Sequence, residues 1–381
     1  MNNLLIISPE VPRTPHDEQR RREEADECPR TTYFDDHVAT TVIDGMYLQS
    51  LKGFRASLYR KLPAPVVAAL EAYRLRRRYD AVVCWDDRVA LIYGLLLTLT
   101  RSKARHVAMV NWMAPGKKRM ALRLAQRGID RVIVWGDVHR ELLGDLFGIA
   151  PSRITVIPFP VDLAFWRPIQ RDMDWICAVG KSQRDYATLI QAMRGLPMTC
   201  RIVTTVNKET QGPKDLNVTA RSLASEDVGA NILLGPGSPA EVREIYARSR
   251  FVVIPLVPNF RDNGVTVAVE AMAMGKAIIC SRTYGMIDII EHGVNGLLVP
   301  PGDPVALREA IQYLWDNPSV AERMGAEGRR RADRVYALER FTASVQQVIR
   351  DVTRGAARSW EGASETPERT LALHPSSQAR D

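Results

Sequence analysis

The chain repeats one pattern twice: a short run rich in valine and isoleucine, a helical stretch, then another such run. In the first half the runs are Asn3–Ser8 (NLLIIS), Ala81–Trp85 (AVVCW), His106–Val110 (HVAMV), Arg131–Trp135 (RVIVW) and Ile154–Pro158 (ITVIP). Helical patterns lie between them over Val89–Thr100, Pro115–Gln126 and Val138–Phe147. A strand apolar on both sides must be covered on both faces, and helices between such strands imply parallel pairing. A proline-rich stretch, Pro158 to Pro168, interrupts the series. The alternation then restarts with strands at Trp175–Val179, Cys200–Thr205, Ile232–Leu234, Phe251–Pro255 and Ala277–Ser281. Helices at Tyr186–Met193, Pro239–Arg248 and Val265–Met274 separate several of these. Two βα series joined by a stiff link predict an α/β chain with two doubly wound domains facing one another. We place the domains at residues 1–165 and 166–337. Val305–Trp315 and Ser319–Val335 read as helices, and Leu338–Thr353 as a long amphipathic one. Residues 354–381 are polar and aperiodic, which predicts a disordered tail.

Several function classes are disfavoured by what the chain lacks. Its 381 residues are 46% hydrophobic and 25% charged, an ordinary globular composition for two domains. The most apolar run, inside Val89–Thr100, is too short to span a bilayer. The N-terminus has no basic, apolar leader pattern, so a cytoplasmic location is expected. The five cysteines stand singly, with no CxxC spacing and no HExxH elsewhere, so neither a metal nor a disulfide framework is expected. The net charge of +8 is uneven. Lys52 to Arg78 holds eight basic residues against one acid, Glu71, and Arg101 to Arg131 holds nine against Asp130. Such stripes favour anionic partners, including peripheral contact with an anionic membrane, or they are solvated helical surface. Nucleic acid is not expected as a partner, because no finger, RRM or KH signature occurs and aromatics are only 7%.

Chemistry concentrates in Phe251–Asp303, FVVIPLVPNFRDNGVTVAVEAMAMGKAIICSRTYGMIDIIEHGVNGLLVPPGD. A buried strand ends at Pro255. A polar loop follows with Asp262, Asn263 and Gly264, and a small-residue helix then begins and ends at Gly275. The start of such a helix presents free N–H groups that attract anions such as a diphosphate. Gly264 permits close backbone approach. Asp262 and Glu270 are eight positions apart, on the order of 10–12 Å if both were helical, and carboxylates accept hydrogen bonds from sugar or ribose hydroxyls. Asp262 could equally act as the N-cap of this helix. Upstream, Trp175–Tyr186 (WICAVGKSQRDY) ends a strand at Gly180 and delivers Lys181 and Arg184. Two cations beside a helix start are suited to a leaving diphosphate.

These segments resemble the donor site of GT-B fold glycosyltransferases of the GT4 type. The match is Asp262 at the first carboxylate position, Glu270-Ala-Met-Ala-Met-Gly275-Lys-Ala-Ile-Ile, then Gly293-Val-Asn-Gly296-Leu-Leu-Val-Pro-Pro-Gly302-Asp303. The resemblance implies that Gly180, Lys181, Arg184, Asn263, Gly264, Val265, Thr266 and Glu270 bind the donor. It gives Asp262, Glu270, Lys181 and Arg184 the catalytic parts, with Asp262 on the sugar, Glu270 on the ribose and the cations on the diphosphate. It also implies retaining, metal-independent transfer from a nucleotide diphosphate sugar to a hydroxyl acceptor, with no cofactor, and a last helix packed back on the first domain. Three features depart from the family: aspartate for the first glutamate, a glycine-free stretch over residues 9–30, and Asn111 where a histidine is common. The altered first half leaves a non-catalytic sugar-nucleotide-binding protein as the alternative, beside a sugar-nucleotide epimerase on the same fold.

Overall fold

In a computed structural model the described residues are 1–10, 13–110, 118–204, 231–235, 237–258 and 262–355. Asn111 and most of the tail lie outside them. The strands are β1 (Asn3–Ile7), β2 (Thr41–Ile43), β3 (Ala81–Trp85), β4 (His106–Met109), β5 (Arg131–Val134) and β6 (Ile154–Val156). They continue with β7 (Trp175–Val179), β8 (Thr199–Val203), β9 (Ile232–Gly235), β10 (Ser249–Ile254), β11 (Ala277–Ser281) and β12 (Gly296–Val299). They form two six-stranded sheets in the orders β2-β1-β3-β4-β5-β6 and β12-β11-β10-β7-β8-β9, with every pairing parallel.

Successive residues of one strand enter different cores, which is why these runs are continuously apolar. Leu4 and Ile6 pack with the helices Ala64–Leu75 and Asp87–Leu99, whereas Leu5 packs on the opposite face with Phe34. That second face is completed by the last helix, Leu338–Thr353, which contributes Phe341, Val345, Ile349 and Val352 against Val83, Val107 and Ile133. The chain therefore crosses between the domains twice. The crossings lie side by side: the Val161 N–H donates to the Tyr336 carbonyl at 2.7 Å, and the Leu338 N–H to the Val161 carbonyl at 3.1 Å. Arg30 closes the junction. Its backbone N–H and guanidinium donate to Asp162 at 2.9 and 2.6 Å, and the guanidinium also reaches Glu339 at 2.7 Å. Asp26 adds ion pairs to Arg167 at 2.7 Å and Arg243 at 2.8 Å from the second domain.

The glycine-free stretch 9–30, for which no element was read, contains the helix His16–Glu24, no residue of which is buried. Four further helices, Thr31–Val38, Gly45–Ser50, Phe54–Tyr59 and Ala64–Leu75, fill the region up to β3 together with β2. The helix read over Ser319–Val335 runs from Pro318 to Arg331 and continues as a π-helical turn, Ala332–Tyr336, into the second crossing.

Glu71, the lone acid in its basic run, is fully buried. Its carboxylate accepts from Arg74 at 2.8 Å, Tyr59 at 3.0 Å, Arg55 at 3.2 Å and Tyr47 at 3.3 Å. Burial alone would raise its pKa, but the bonds from Arg74 and Tyr59 outweigh that and hold it below the ordinary value. Two short helices, Gly45–Ser50 and Phe54–Tyr59, are thus tied to a carboxylate on the helix Ala64–Leu75. Glu71→Ala should cost about 2–3 kcal/mol in a urea melt. That is less than the roughly 3–5 kcal/mol of a wholly buried pair, because Arg55 and Arg74 remain partly hydrated. A variant as stable as the parent would show that the carboxylate ties nothing down.

Candidate functional site

The second sheet reverses direction between β7 and β10: the chain runs outward through β8 and β9, then returns to the other side of β7. Ligands of open parallel sheets bind in the crevice that such a reversal opens at the carboxyl ends of the strands. Both glycine-bearing motifs end there. After β7 the backbone turns at Gly180, where φ is +115°, and the Asp185 side chain caps the helix Tyr186–Met193 by accepting from the Thr188 N–H at 3.1 Å. The loop is zipped to the end of β10: Val257 N–H donates to Gln183 at 3.2 Å and Asp185 N–H to Pro255 at 3.1 Å. Past β10, Gly264 at φ +96° is itself the N-cap of the helix Val265–Ala273. A Cβ on Gly264 would stand 3.1–3.3 Å from Ile254, Leu256 and Met286, so both space and conformation call for glycine.

Together these elements wall a cleft of about 510 Å³. Gly180, Lys181, Arg184, Asp262, Asn263, Gly264, Thr266 and Glu270 all line it. Val265 does not, because its side chain is buried in the core. Ser182, Gly237, Pro239, Val242 and Trp166 also line it, and none of them was marked by the motifs. Asn263 is tied to the other wall, accepting from the Ser182 hydroxyl at 3.3 Å.

Three side chains behave differently from their motif roles. Arg184, expected beside Lys181 as a second open cation, is 4% exposed, whereas Lys181 is exposed at the mouth. Its Nε donates to the Val179 carbonyl and its Nη1 to the Ser182 carbonyl, each at 3.0 Å. A Cβ at Gly180 would lie 2.5 Å from its Nη2. Glycine is therefore required above the guanidinium, and Arg184 braces the loop from within while charging the cleft wall. Burial draws its pKa down. Asp262 precedes the helix rather than lying in it and does not cap it, since Gly264 holds the N-cap position without a side-chain bond. The helical-spacing estimate for Asp262 and Glu270 therefore does not apply. Glu270 is half-buried, and its Oε2 accepts from the Tyr246 hydroxyl at 3.1 Å. Burial pushes its pKa up to about 8, more than the Tyr246 bond and the Arg184 charge offset.

The partner of Asp262 was not marked by any motif. His139, on the first-domain helix Asp137–Phe147, places Nε2 2.7 Å from Asp262 Oδ1. The ring N–H is not aligned on that oxygen, so the contact is a close polar one rather than a well-formed hydrogen bond. Burial raises the pKa of Asp262, and His139 opposes the rise. Beside this pair, Asp288 of the second domain accepts from the Val138 N–H at 3.0 Å, under a Gly136 whose Cβ would come within 2.5 Å of it. Among the described residues no group of three or more His, Cys, Asp or Glu is placed to hold a metal, and no helix is long and apolar enough to cross a membrane.

Comparison with known proteins agrees with this architecture. Residues 5–165 match the family model "Glycosyltransferase Family 4", and residues 180–331 match "Glycosyl transferases group 1". The chain belongs to the GT4-like glycosyltransferases of GT-B fold. It is 26% identical over 282 residues to a D-inositol 3-phosphate glycosyltransferase of Kineococcus radiotolerans, covering 65% of this chain and 62% of that protein. It is 24% identical over 262 residues to an MMP alpha-(1->4)-mannosyltransferase of Mycolicibacterium hassiacum, covering 66% and 62%. The chain thus spans less than two thirds of these relatives' length. The structure of Anabaena HepE in complex with UDP-glucose superposes with a TM-score of 0.70 at 16% identity, covering 92% of this chain and 100% of that one.

The Glu270 environment has a consequence for stability. Its pKa in the folded chain lies above the ordinary value of 4.5, so between about 4.5 and 8 the folded state holds a proton that the unfolded state releases. The stability tied to that proton is complete below about pH 4.5 and is lost as pH rises through about 8. Glu270→Gln should therefore gain melting temperature relative to the parent between pH 5 and pH 9. Thermal melts across that range check it, and a difference independent of pH would contradict the burial argument.

Proposed function

We propose that this chain is a retaining glycosyltransferase that moves a sugar from a nucleotide diphosphate sugar to a hydroxyl acceptor, needing neither metal nor cofactor. The observation that carries this is the cleft at the β7/β10 reversal, where a cationic loop, a helix start and two carboxylates converge. The diphosphate would lie against Lys181 and the start of the helix Val265–Ala273, with Arg184 charging the wall behind. Glu270 would accept the ribose hydroxyls and Asp262 a sugar hydroxyl. In this reading the bond from the anomeric carbon to the diphosphate oxygen breaks through an oxocarbenium-like state. The acceptor oxygen attacks from the same face, and its proton passes to the departing phosphate. The HepE complex with UDP-glucose and the inositol phosphate and mannosyl relatives favour UDP-linked or related donors and a hydroxylated acceptor.

Incubation with UDP-, GDP- and ADP-sugars and a set of polyol, glycan and glycolipid acceptors tests the reading. The expected result is nucleotide release coupled to an α-linked product from an α-donor, unaffected by EDTA. Epimerised sugar, or binding without turnover, would replace it with one of the alternatives. Asp262→Asn should lower kcat far more than nucleotide affinity, whereas Lys181→Ala should weaken nucleoside diphosphate binding by roughly 1–3 kcal/mol. Equal affinity after the lysine change would remove Lys181 from the site.

We also propose that the first domain contacts an anionic membrane through the helix Phe54–Tyr59. Arg55 and Tyr59 anchor one face of it to Glu71, and the other face presents Phe54 and Leu58, 84% and 59% exposed, followed by Leu62 at 40%. Lys52, Arg60 and Lys61 are exposed around them, and no acid occurs between Asp44 and Glu71. Apolar side chains set among cations suit a surface of acyl chains beneath anionic head groups. The protein should sediment with phosphatidylglycerol-containing vesicles and not with phosphatidylcholine alone, and binding should weaken as salt shortens screening toward about 8 Å. Phe54→Ser with Leu58→Ser should abolish binding. Retention by the double variant, or none by the parent at low salt, would overturn the proposal.

A further inference from the structure

Asp262 carries its carboxylate on a short side chain in the wall expected to hold the donor sugar. Something has to fix that group in place. Its own helix does not, because Gly264 occupies the N-cap. The contact comes from the other domain: His139 Nε2 is 2.7 Å from Oδ1, and both side chains are nearly buried. The first turn that bears His139 is held on the second domain independently, by the Asp288 carboxylate on the Val138 N–H. The spot also has spare polar capacity. Asp262 Oδ2 and His139 Nδ1 are buried without a hydrogen-bond partner among the described residues, and Nε2 is close to Oδ1 without being aligned on it. Buried polar atoms are rarely left unmatched, so these atoms have the capacity for a further polar partner. Catalytic hydrogen bonds are often loose without substrate and tighten when it binds.

We propose that His139 is a positioning residue for the donor sugar: by holding Asp262 Oδ1 across the domain boundary it turns Oδ2 toward a sugar hydroxyl. The inference rests on the glycosyltransferase reading and adds a requirement to it. The sugar is gripped only while the first domain sits in this arrangement, so sugar recognition is tied to domain closure, and the nucleotide half of the donor is bound by the second domain alone. His139 acts through Asp262 and is not itself assigned to the reacting atoms.

Two measurements on the full chain separate this inference from the reading beneath it. The first needs no turnover. Calorimetry gives the affinity for UDP and UDP-glucose, GDP and GDP-mannose, and ADP and ADP-glucose, and the pair that binds is carried forward. His139→Ala should leave the nucleoside diphosphate affinity within about twofold while reducing the ratio of nucleotide-sugar to nucleoside-diphosphate affinity. His139→Gln, whose amide nitrogen can take the place of Nε2, should restore most of that ratio. The second is transfer kinetics: kcat should fall about ten- to a hundredfold in His139→Ala, as expected when a reacting group is misplaced by about 1 Å. The double variant with Asp262→Asn should be no slower than Asp262→Asn alone. A parent protein that binds a nucleotide sugar without transferring it would end the catalytic reading, and the affinity ratio would still decide the role of His139. An unchanged ratio in His139→Ala, an equal loss for nucleotide and nucleotide sugar, no recovery with glutamine, or a fully multiplicative double variant would each overturn the proposal.

Discussion

The junction at Arg30 is the constraint on which the rest of the molecule depends. One guanidinium joins the first domain, the linker at Asp162 and the start of the last helix at Glu339. A charge of this kind gains little from being exposed and paired, but Asp162 is buried, so its carboxylate depends on Arg30 for compensation. With the paired backbone of Val161, Tyr336 and Leu338, the clamp makes the two crossings a single two-stranded band. What faces what across the cleft follows from that band, including the approach of His139 to Asp262.

The cleft combines rigid and adjustable parts. The Gly180 loop is rigid: it is zipped to the end of β10 and braced by a buried arginine that leaves no room for a side chain above it. The Asp262 wall is less fully satisfied, with buried atoms unmatched among the described residues and a side-chain contact across the domain boundary. On the function proposed above, the half built in advance would take the nucleotide and the half completed by the other domain would take the sugar, a division of labour suited to two facing sheets.

Much of this was readable along the chain, and what was hidden has identifiable causes. Ten of the twelve described strands were legible because they are covered on two faces, which leaves continuous apolar runs such as AVVCW and AIICS; β12, a four-residue edge strand inside the Gly293–Asp303 motif, was not read as a strand. Nor was the region between β1 and β3 legible. The helix His16–Glu24 buries nothing and so has no periodicity to read, and β2 is only three residues long. The motifs brought Lys181, Asp262 and Glu270 to one cleft, but motif logic treats every cation as available. Only the fold shows that Arg184 lies beneath Gly180. His139 was invisible because its partner is 123 positions away, in another domain. Its one local signal is its place in the first helical turn after β5, at the carboxyl end of a parallel sheet where ligand-facing groups collect.

The doubled crossing also makes the covalent link between the domains redundant. Residues 171–174, just past the proline-rich stretch, are exposed and bonded at the surface: Arg171 pairs with Glu244, and Asp174 pairs with Arg248 and donates its N–H to the Arg248 carbonyl at 3.0 Å. A backbone cut there would leave the second domain still joined to the first through the π-helical turn and the last helix, which is buried against β3, β4 and β5. The two halves would then separate only by tearing that helix from the first domain's core and Val161, Phe165 and Trp166 from the second domain's. Endoproteolytic nicking of this stretch and loss of the interdomain cleft are, for this topology, different events.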